Sequence, residues 1–560
     1  MASGKRRTGL RILMVGLFSE RYPAAGETHG LSVIAGAVHS AFEPELAEFR
    51  VIDLVTIGKE DARLVASHVN AVRPDVLSIS APYGTYDLLL ELRDTIRAHH
   101  DRGGLTLVGG ALPTYIGPTI LTEIDDRTVV VQGEGDRAAP AVIDAWRRRE
   151  GIDAIPNVLF SQAGVVKATP RRLTDSGSVA IPYREHLRSG ISRGVQVYTE
   201  ASRGCSWAAC TFCLRGLTDV KGTNREYRRL AGPRLEVDLR QLRDLGATQY
   251  TFADEDFLGG DSDSLSQTIN LIARVKAEDP ARAMTFDVSA TTRSIFDESD
   301  TETENEAKAS RLLRLKEVGL NKVFLGVESG SVTQLARYAK GHTPSEIIRA
   351  CETVAAAGIK LELGFIMFDP LCTPAEITEN CTFLIDNTLA PLVSGPTSEL
   401  RLQVGSRYIN VLTRTERRLG RRLFDRQVDP NTLSHAYEYA DPQVAELAAG
   451  VRNWNSIVHP FVYAAKGLTR HGRGVLATSE HNLLKHTLGL YRVASLKALR
   501  AAAWSGRAAR YRLDSSSALH ELVSVASSVG SDSRHPMIGT LTTESAHLLT
   551  ILDEHPQETV

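Results

Sequence analysis

Two long stretches of this chain alternate short β-branched runs with segments of helical periodicity, and that alternation leaves few folds open. From residue 10 to about 150, Leu10–Leu17, Arg50–Val55, Asp75–Ser80, Leu105–Val108 and Thr128–Val131 read as strands. Thr85–His99 and Asp136–Arg149 carry helical spacing. Five β-α units of this kind predict an α/β domain over residues 1–150 with a doubly wound parallel sheet, which binds ligands beyond the carboxyl ends of its strands. Residues 151–192 read as a linker. Within it, Ile155–Phe160 and Val165–Pro170 flank a Gln-Ala-Gly turn as a hairpin, and Pro182 interrupts any helix.

The alternation resumes over residues 193–410 with longer units. Strands are expected at Val195–Thr199, Gln249–Ala253, Met284–Ser289, Lys322–Val327, Lys360–Met367 and Glu399–Val404. Helices are expected at Gly232–Leu245, Ala307–Val318, Ser345–Ala357 and Pro374–Asn387. Six such units predict a partial (β/α)6 barrel related to the eight-fold one, with chemistry at the carboxyl ends of its strands. The acidic run Asp297–Glu306 reads as a solvated insertion loop. Residues 411–560 read as mainly α-helical, with Leu483–Ala503 amphipathic, and are where substrate choice is expected to reside. Their basic residues Arg492, Lys497, Arg500, Arg507, Arg510 and Arg512 read as a solvated face, and Trp454, His459 and Tyr463 as core or interface.

Composition removes several classes. A net charge of −2 over 560 residues argues against a nucleic-acid partner. No apolar run reaches the roughly eighteen residues of a membrane span. The apolar start behind Lys5-Arg-Arg breaks at Ser19-Glu-Arg, which favours a first strand over a secretory signal. Six cysteines are too few for a disulfide framework and suit a reducing cytoplasm.

Three of those cysteines, Cys205, Cys210 and Cys213, fall within nine residues, just after the Val195–Thr199 run. Thiolates are soft ligands for zinc or iron–sulfur iron. Structural zinc takes four protein ligands, and no histidine occurs between His186 and His342. Cys351, Cys372 and Cys381 are scattered downstream. Three clustered ligands point to an iron–sulfur cluster with one iron left open; zinc and unligated core thiols remain the other readings.

The loops after the N-terminal strands are Ser80-Ala-Pro-Tyr-Gly84, Gly109-Gly-Ala-Leu-Pro-Thr114 and Gln132-Gly-Glu-Gly-Asp136. Taken singly, their glycines turn strand into helix; together they let a backbone approach a flat ligand. The set resembles the cobalamin-binding domain found upstream of many radical enzymes. The resemblance implies that Ser80, Gly109, Gly110, Pro113, Thr114, Gly133, Glu134 and Gly135 line the corrin site, with Asp136 in the last place. No Asp-x-His-x-x-Gly follows the first strand, and His29 in Gly26-Glu-Thr-His-Gly30 has different surroundings, so no lower histidine ligand is expected.

From roughly 10 to 410 the chain resembles radical S-adenosylmethionine (SAM) enzymes. Ser202-Arg-Gly-Cys205 and Thr211-Phe212-Cys213 match their cysteine loop, with one extra residue between Cys205 and Cys210. The resemblance implies that the three cysteines hold three irons of a 4Fe–4S cluster while SAM chelates the fourth, beside Phe212. It places Asp254, Glu255 and Asp256 near the SAM amino group, although Asp254 or Asp256 also suits a helix N-cap. Ser289 and Arg293 are assigned to its ribose or carboxylate, although Arg293 suits a surface ion pair equally. Glu328 is a carboxylate in the barrel mouth, and Lys340-Gly-His-Thr343, Gly364–Pro370 and Val404-Gly-Ser406 complete the series. The activity implied is reductive SAM cleavage to a 5′-deoxyadenosyl radical, then methylation of an unactivated carbon from cobalamin. The substrate is a small molecule or peptide, and the electron donor a protein such as flavodoxin or ferredoxin. Rearrangement, cyclisation or another non-methylating radical reaction is the first alternative; a non-catalytic, metal-stapled binding protein is the second.

Overall fold

Period-two burial along the first strand decides the N-terminal layers. Ile12 and Met14 pack on one face with Leu31, Val38 and Ile143, and Leu13 and Val15 pack on the other with Val65, Val69 and Ile96. A strand apolar on both faces requires helices on both. The computed structural model describes residues 9–23, 26–214, 227–471, 475–529 and 536–554. Lys5-Arg-Arg, Gly216 and the Arg510 side chain lie outside the described set.

Strands β1 (Leu10–Gly16), β2 (Leu46–Asp53), β3 (Val76–Ser80), β4 (Leu105–Gly109), β5 (Val129–Val131), β6 (Val158–Gln162) and β7 (Val165–Ala168) form one sheet, ordered β2-β1-β3-β4-β5-β6-β7. The first five are parallel, as doubly wound topology demands. The β6–β7 hairpin extends this sheet antiparallel from β5, so the 155–170 segment belongs to the sheet. The helix expected over Thr85–His99 is divided into Tyr86–Glu91 and Arg93–Asp101.

The second unit holds β8 (Tyr198–Thr199), a short antiparallel ladder of β9 (Ser202–Arg203) with β10 (Arg228–Arg229), then β11 (Gln249–Phe252), β12 (Thr285–Thr291), β13 (Leu320–Glu328) and β14 (Lys360–Phe365). Its sheet is parallel and ordered β14-β13-β12-β11-β8. The sixth unit is reduced. Segment 398–400 runs beside 366–368 through one parallel bridge, Phe368 with Glu399, and joins no named strand. Three barrel helices start at Thr-x-x-Glu capping boxes: Thr301 with Glu304, Thr343 with Glu346 and Thr373 with Glu376. The first box corrects the reading of the acidic run. Its carboxylates from Glu302 onward form the opening turn of a helix to Val318, where negative charge meets the positive end of the dipole.

The two units oppose their carboxyl faces. Glu27, in the loop after β1, accepts from the Tyr198 amide at 2.8 Å. Tyr83, after β3, lies under Arg401 at 4.3 Å. Beyond the barrel, helix Tyr408–Leu419 and hairpin Phe424–Asp429/Ser434–Tyr437 precede four helices: Pro442–His471, Thr478–Ser505, Ala509–Ser528 and Pro536–Glu554. Leu484, Leu488 and Leu499 share one core with Phe365, Phe383 and Leu384 of the barrel, so these helices are welded to it. Trp454 is buried, whereas Tyr463 is half-exposed and stacks on His459. Arg492, Arg500 and Arg512 turn to Pro391, Thr382 and the Trp454 ring, which breaks up the expected basic face.

Candidate active site

The loop after β8 carries Cys205, Cys210 and Cys213, none in a disulfide and all partly buried. Its path is fixed by the barrel segment Arg337–Gly341. Thr211 donates its amide to the Tyr338 carbonyl at 2.9 Å and its hydroxyl to the Arg337 carbonyl at 3.0 Å. The Trp207 indole donates to the Ala339 carbonyl at 2.7 Å. Phe212 lies edge-to-face on Tyr338, with ring centroids 5.3 Å apart. The extra residue between Cys205 and Cys210 is absorbed at Ala208, buried with φ of +45°.

Burial pushes the Cys205 thiol up, helped by the nearby Asp256 carboxylate. Burial likewise pushes Cys210 up to about 11, against the pull of the Lys340 ammonium. Lys340 is itself buried, which disfavours its charge, but Glu328 and the three cysteines hold its pKa above the ordinary value. Its Nζ lies 3.6 Å from Glu328 Oε1. Glu328 ends β13 with φ of +69°, at a register shift that turns its carboxylate toward Lys340. His342 is held neutral, down to about 3, by burial and by Lys340. One cation, one carboxylate and three thiols therefore share the barrel mouth.

Among the described residues no three His, Cys, Asp or Glu side chains converge on a single ion. A cubane cluster asks for something different, one thiolate for each of three irons. Three cysteines on one loop, electrostatically in touch with one another, suit it.

The acidic stretch after β11 divides its roles. Asp254 and Asp256 are buried and turned inward. Asp254 accepts from the Ala201 amide at 3.0 Å and from the Ser202 hydroxyl; burial pushes it up to about 7 despite those bonds. Asp256 accepts from the Ser206 hydroxyl, from Ser294 Oγ at 2.9 Å and from the Thr291 amide at 3.2 Å. Both aspartates brace the cysteine loop. Glu255, partly exposed between them, accepts from the Gly204 amide at 3.1 Å. Arg293 pairs with Asp297 at 2.6 Å and lies 4.8 Å over the Trp207 ring, so the ion-pair alternative describes its contacts. The Ser289 carbonyl accepts from the Phe257 amide at 2.9 Å.

Across the mouth, the N-terminal loops form an edge. Gly110 has φ of +105°, and a Cβ there would meet the Ala81 carbonyl oxygen at 2.9 Å. Gly133 has φ of +70° and faces open space. Thr114 fastens the two loops, donating to the Gly110 carbonyl at 2.8 Å and accepting from the Gly133 amide at 2.9 Å. Pro113 is buried beside it, while Ser80 and Gly109 are half-buried at the ends of β3 and β4. The Glu134 carboxylate is engaged by Arg228, by the Thr174 amide at 2.7 Å and by Arg203 at 3.5 Å. Arg203 also grips Asp136 with two hydrogen bonds and Glu200 with two more. The sequence showed Arg203, Asp136 and Lys340 only as letters of motifs. Complementary charges on loops 67 residues apart carry no local signal of their pairing.

Residues 199–381 match the radical SAM superfamily. The chain is 28% identical over 372 residues to the 4′-phospho-dehydrooxetanocin synthase of Priestia megaterium, covering 63% of this chain and 48% of that one. It thus spans about half the length of that relative. It is 24% identical over 354 residues to the hopanoid C-3 methylase of Methylococcus capsulatus, covering 61% of each. Among solved structures it is similar to the cobalamin-dependent S-adenosylmethionine radical enzyme OxsB with aqua-cobalamin and S-adenosylmethionine bound. That likeness has a TM-score of 0.77 at 20% identity and covers 98% of this chain and 80% of that one, which establishes the fold. No helix among the described residues is long and apolar enough to cross a membrane. Residues 199–381 are a radical SAM domain, set in a chain with the fold of a cobalamin-dependent radical SAM enzyme.

Proposed function

We propose that the chain is a cobalamin-dependent radical SAM enzyme that methylates an unactivated carbon of a small molecule or peptide. The observation that carries this reading is the opposition of two loops, Cys205–Cys213 in the barrel mouth and the open Gly133 edge of the N-terminal sheet, joined through Arg203 and Asp136. Cys205, Cys210 and Cys213 would hold the 4Fe–4S cluster, and Ser80, Gly109 and Gly133 would border the corrin. When bound, the cluster supplies the electron that cleaves SAM to methionine and a 5′-deoxyadenosyl radical, and cobalamin supplies the methyl group.

The protein's own part is placement and exclusion. Lys340 keeps a fixed positive charge beside the thiolates in a buried site, where it acts with little screening. Glu255 and Glu328 are the partly open carboxylates that suit the SAM ammonium. Asp254 and Asp256 keep the cysteine loop rigid through Ser202 and Ser206. The electron comes from a small redox protein such as flavodoxin or ferredoxin, and a reducing cytoplasm is the setting such a cluster requires.

Anaerobic reconstitution followed by incubation with SAM and reductant tests this. The wild type is expected to show 4Fe–4S absorbance and to form 5′-deoxyadenosine, and a triple Cys→Ala variant at 205, 210 and 213 to do neither. A variant that still forms 5′-deoxyadenosine would overturn the reading. The resemblance to a synthase, beside that to a methylase, supports a second reading, a radical rearrangement or ring formation. Product mass separates the two, because only methylation adds one CH2.

A further inference from the structure

A cavity of about 1300 Å³ lies at the opposite end of the barrel, under the amino ends of β11 to β14. Gln249, Thr285, Lys322 and Lys360 mark those strand starts, and Lys466 and Arg492 of the C-terminal helices close the far side. Residues alternate along β13, so Lys322 at this floor and Glu328 at the mouth lie on one strand, about 20 Å apart.

The two walls differ in charge. On the barrel wall one ammonium lies between two carboxylates. Lys322 lies 3.1 Å from Glu362 and 3.5 Å from Asp287, and Asp287 also accepts from Asn321 at 2.7 Å and Gln249 at 3.1 Å. On the helix wall the cations meet neutral oxygens. Lys466 donates to the Ser394 carbonyl at 2.8 Å and its hydroxyl at 2.9 Å, and Arg492 to the Pro391 carbonyl at 2.7 Å. Among the described residues no carboxylate pairs with either. Both cations hang from one four-residue stretch, 391–394, and face one cavity. Burial, with Arg492 and Lys322 nearby, pushes Lys466 down to about 8, and burial pushes Arg492 down to about 10. Two half-buried cations facing one cavity without a carboxylate partner are costly unless an anion joins them.

We propose that this cavity binds a small phosphate-bearing molecule, its phosphate between Lys466 and Arg492 and its apolar body against Phe324, Leu361 and Leu488. A guanidinium fork beside an ammonium suits a phosphate dianion, whose charge balances both groups. The site lies apart from the cysteine loop and stands independently of the reading of that loop.

The test is calorimetric titration of the full-length reconstituted protein with phenyl phosphate, inorganic phosphate and sodium benzoate, in chloride at constant ionic strength. Phenyl phosphate is expected to bind saturably and more tightly than either of the others. Lys466→Gln and Arg492→Gln are each expected to weaken it by about tenfold, with iron content and melting temperature retained. Thr469→Glu, one turn beyond Lys466 on the cavity wall, supplies the missing carboxylate and is expected to abolish binding without loss of fold. Absence of saturable binding in the wild type, unchanged binding in all three variants, or benzoate binding as tightly as phenyl phosphate would each overturn the proposal.

Discussion

Arg203, two residues before Cys205, donates to both oxygens of Asp136, Nη1 to Oδ2 at 2.9 Å and Nη2 to Oδ1 at 3.0 Å. The pair spans the two domains and is largely buried, with side-chain exposures of 15% and 2%. Burial disfavours the guanidinium, but Glu200 and Asp136 outweigh it and hold Arg203 firmly charged. The loop expected to hold the cluster is thereby bolted to the loop expected to border the corrin.

Breaking that bolt removes one of the carboxylates that Arg203 grips and leaves it Glu200. Asp136→Ala is expected to lose about 2 kcal/mol of stability, read by urea unfolding. Asp136→Asn, which keeps the shape but removes the charge, is expected to lose less. Arg203→Lys cannot reproduce the two-pronged bond and is expected to fall between wild type and Arg203→Ala. Equal losses for all four variants would mean that the bidentate geometry contributes nothing.

Gly341 supports the cysteine loop from below. Its φ is +67°, and a Cβ there would lie 2.1 Å from the Trp207 ring. Gly341→Ala is expected to displace Trp207 and cost about 3 kcal/mol, strain and overpacking together. Iron loading is expected to fall with it. Gly358 has nearly the same backbone, φ +66°, but nothing near its absent Cβ. Gly358→Ala should therefore cost only about 1 kcal/mol and leave iron content unchanged. Equal iron contents in the two variants would remove Trp207 from the argument.

Ala208 tests the irregular cysteine spacing. It sits in the left-handed region at φ +45°, where a side chain strains the backbone. Ala208→Gly is expected to keep or raise the melting temperature, and Ala208→Val to lower it through a loss of more than about 1 kcal/mol of stability. Should the valine variant melt with the wild type, the loop adapts and the strain is not fixed by the fold.

Asp53 predicts a pH dependence. It is buried and accepts from the Thr28 amide at 2.7 Å, the Thr28 hydroxyl at 2.9 Å and the Val55 amide at 3.2 Å. Burial nevertheless pushes its carboxyl up to about 6, with Glu27 adding to the shift. An unfolded aspartate titrates near 3.9, so the folded state holds this proton more tightly. Its contribution to stability is present at low pH and falls by about 1 kcal/mol between pH 5 and 7. Asp53→Asn is expected to remove that fall, seen as the wild-type minus variant difference in unfolding free energy across this window. A difference independent of pH would show that Asp53 does not titrate there.

Much of the architecture is written locally. The two-residue period of Ile12-Leu13-Met14-Val15 announces a strand buried on both faces. Thr-x-x-Glu at 301, 343 and 373 announces three helix starts, each decided by atoms within four residues. The charge of the acidic run reads as a loop, and only its capping threonine makes it a helix start. The hairpin at 158–168 is legible locally, but its pairing with β5 depends on an edge that exists only after the sheet assembles.

At the site the division is the same. The sequence by itself determined the three thiols, their loop, the glycines of the facing edge and the order of the strand ends, since each is a matter of residue type and short spacing. Tertiary structure alone decided that Asp254 and Asp256 turn inward, that Glu134 and Asp136 pair with arginines of the other domain, and that Lys340 stands beside the thiols. Those roles follow from burial and from charges brought together over tens to more than a hundred residues. Coulomb attraction and desolvation depend on distance in space, which no local pattern records.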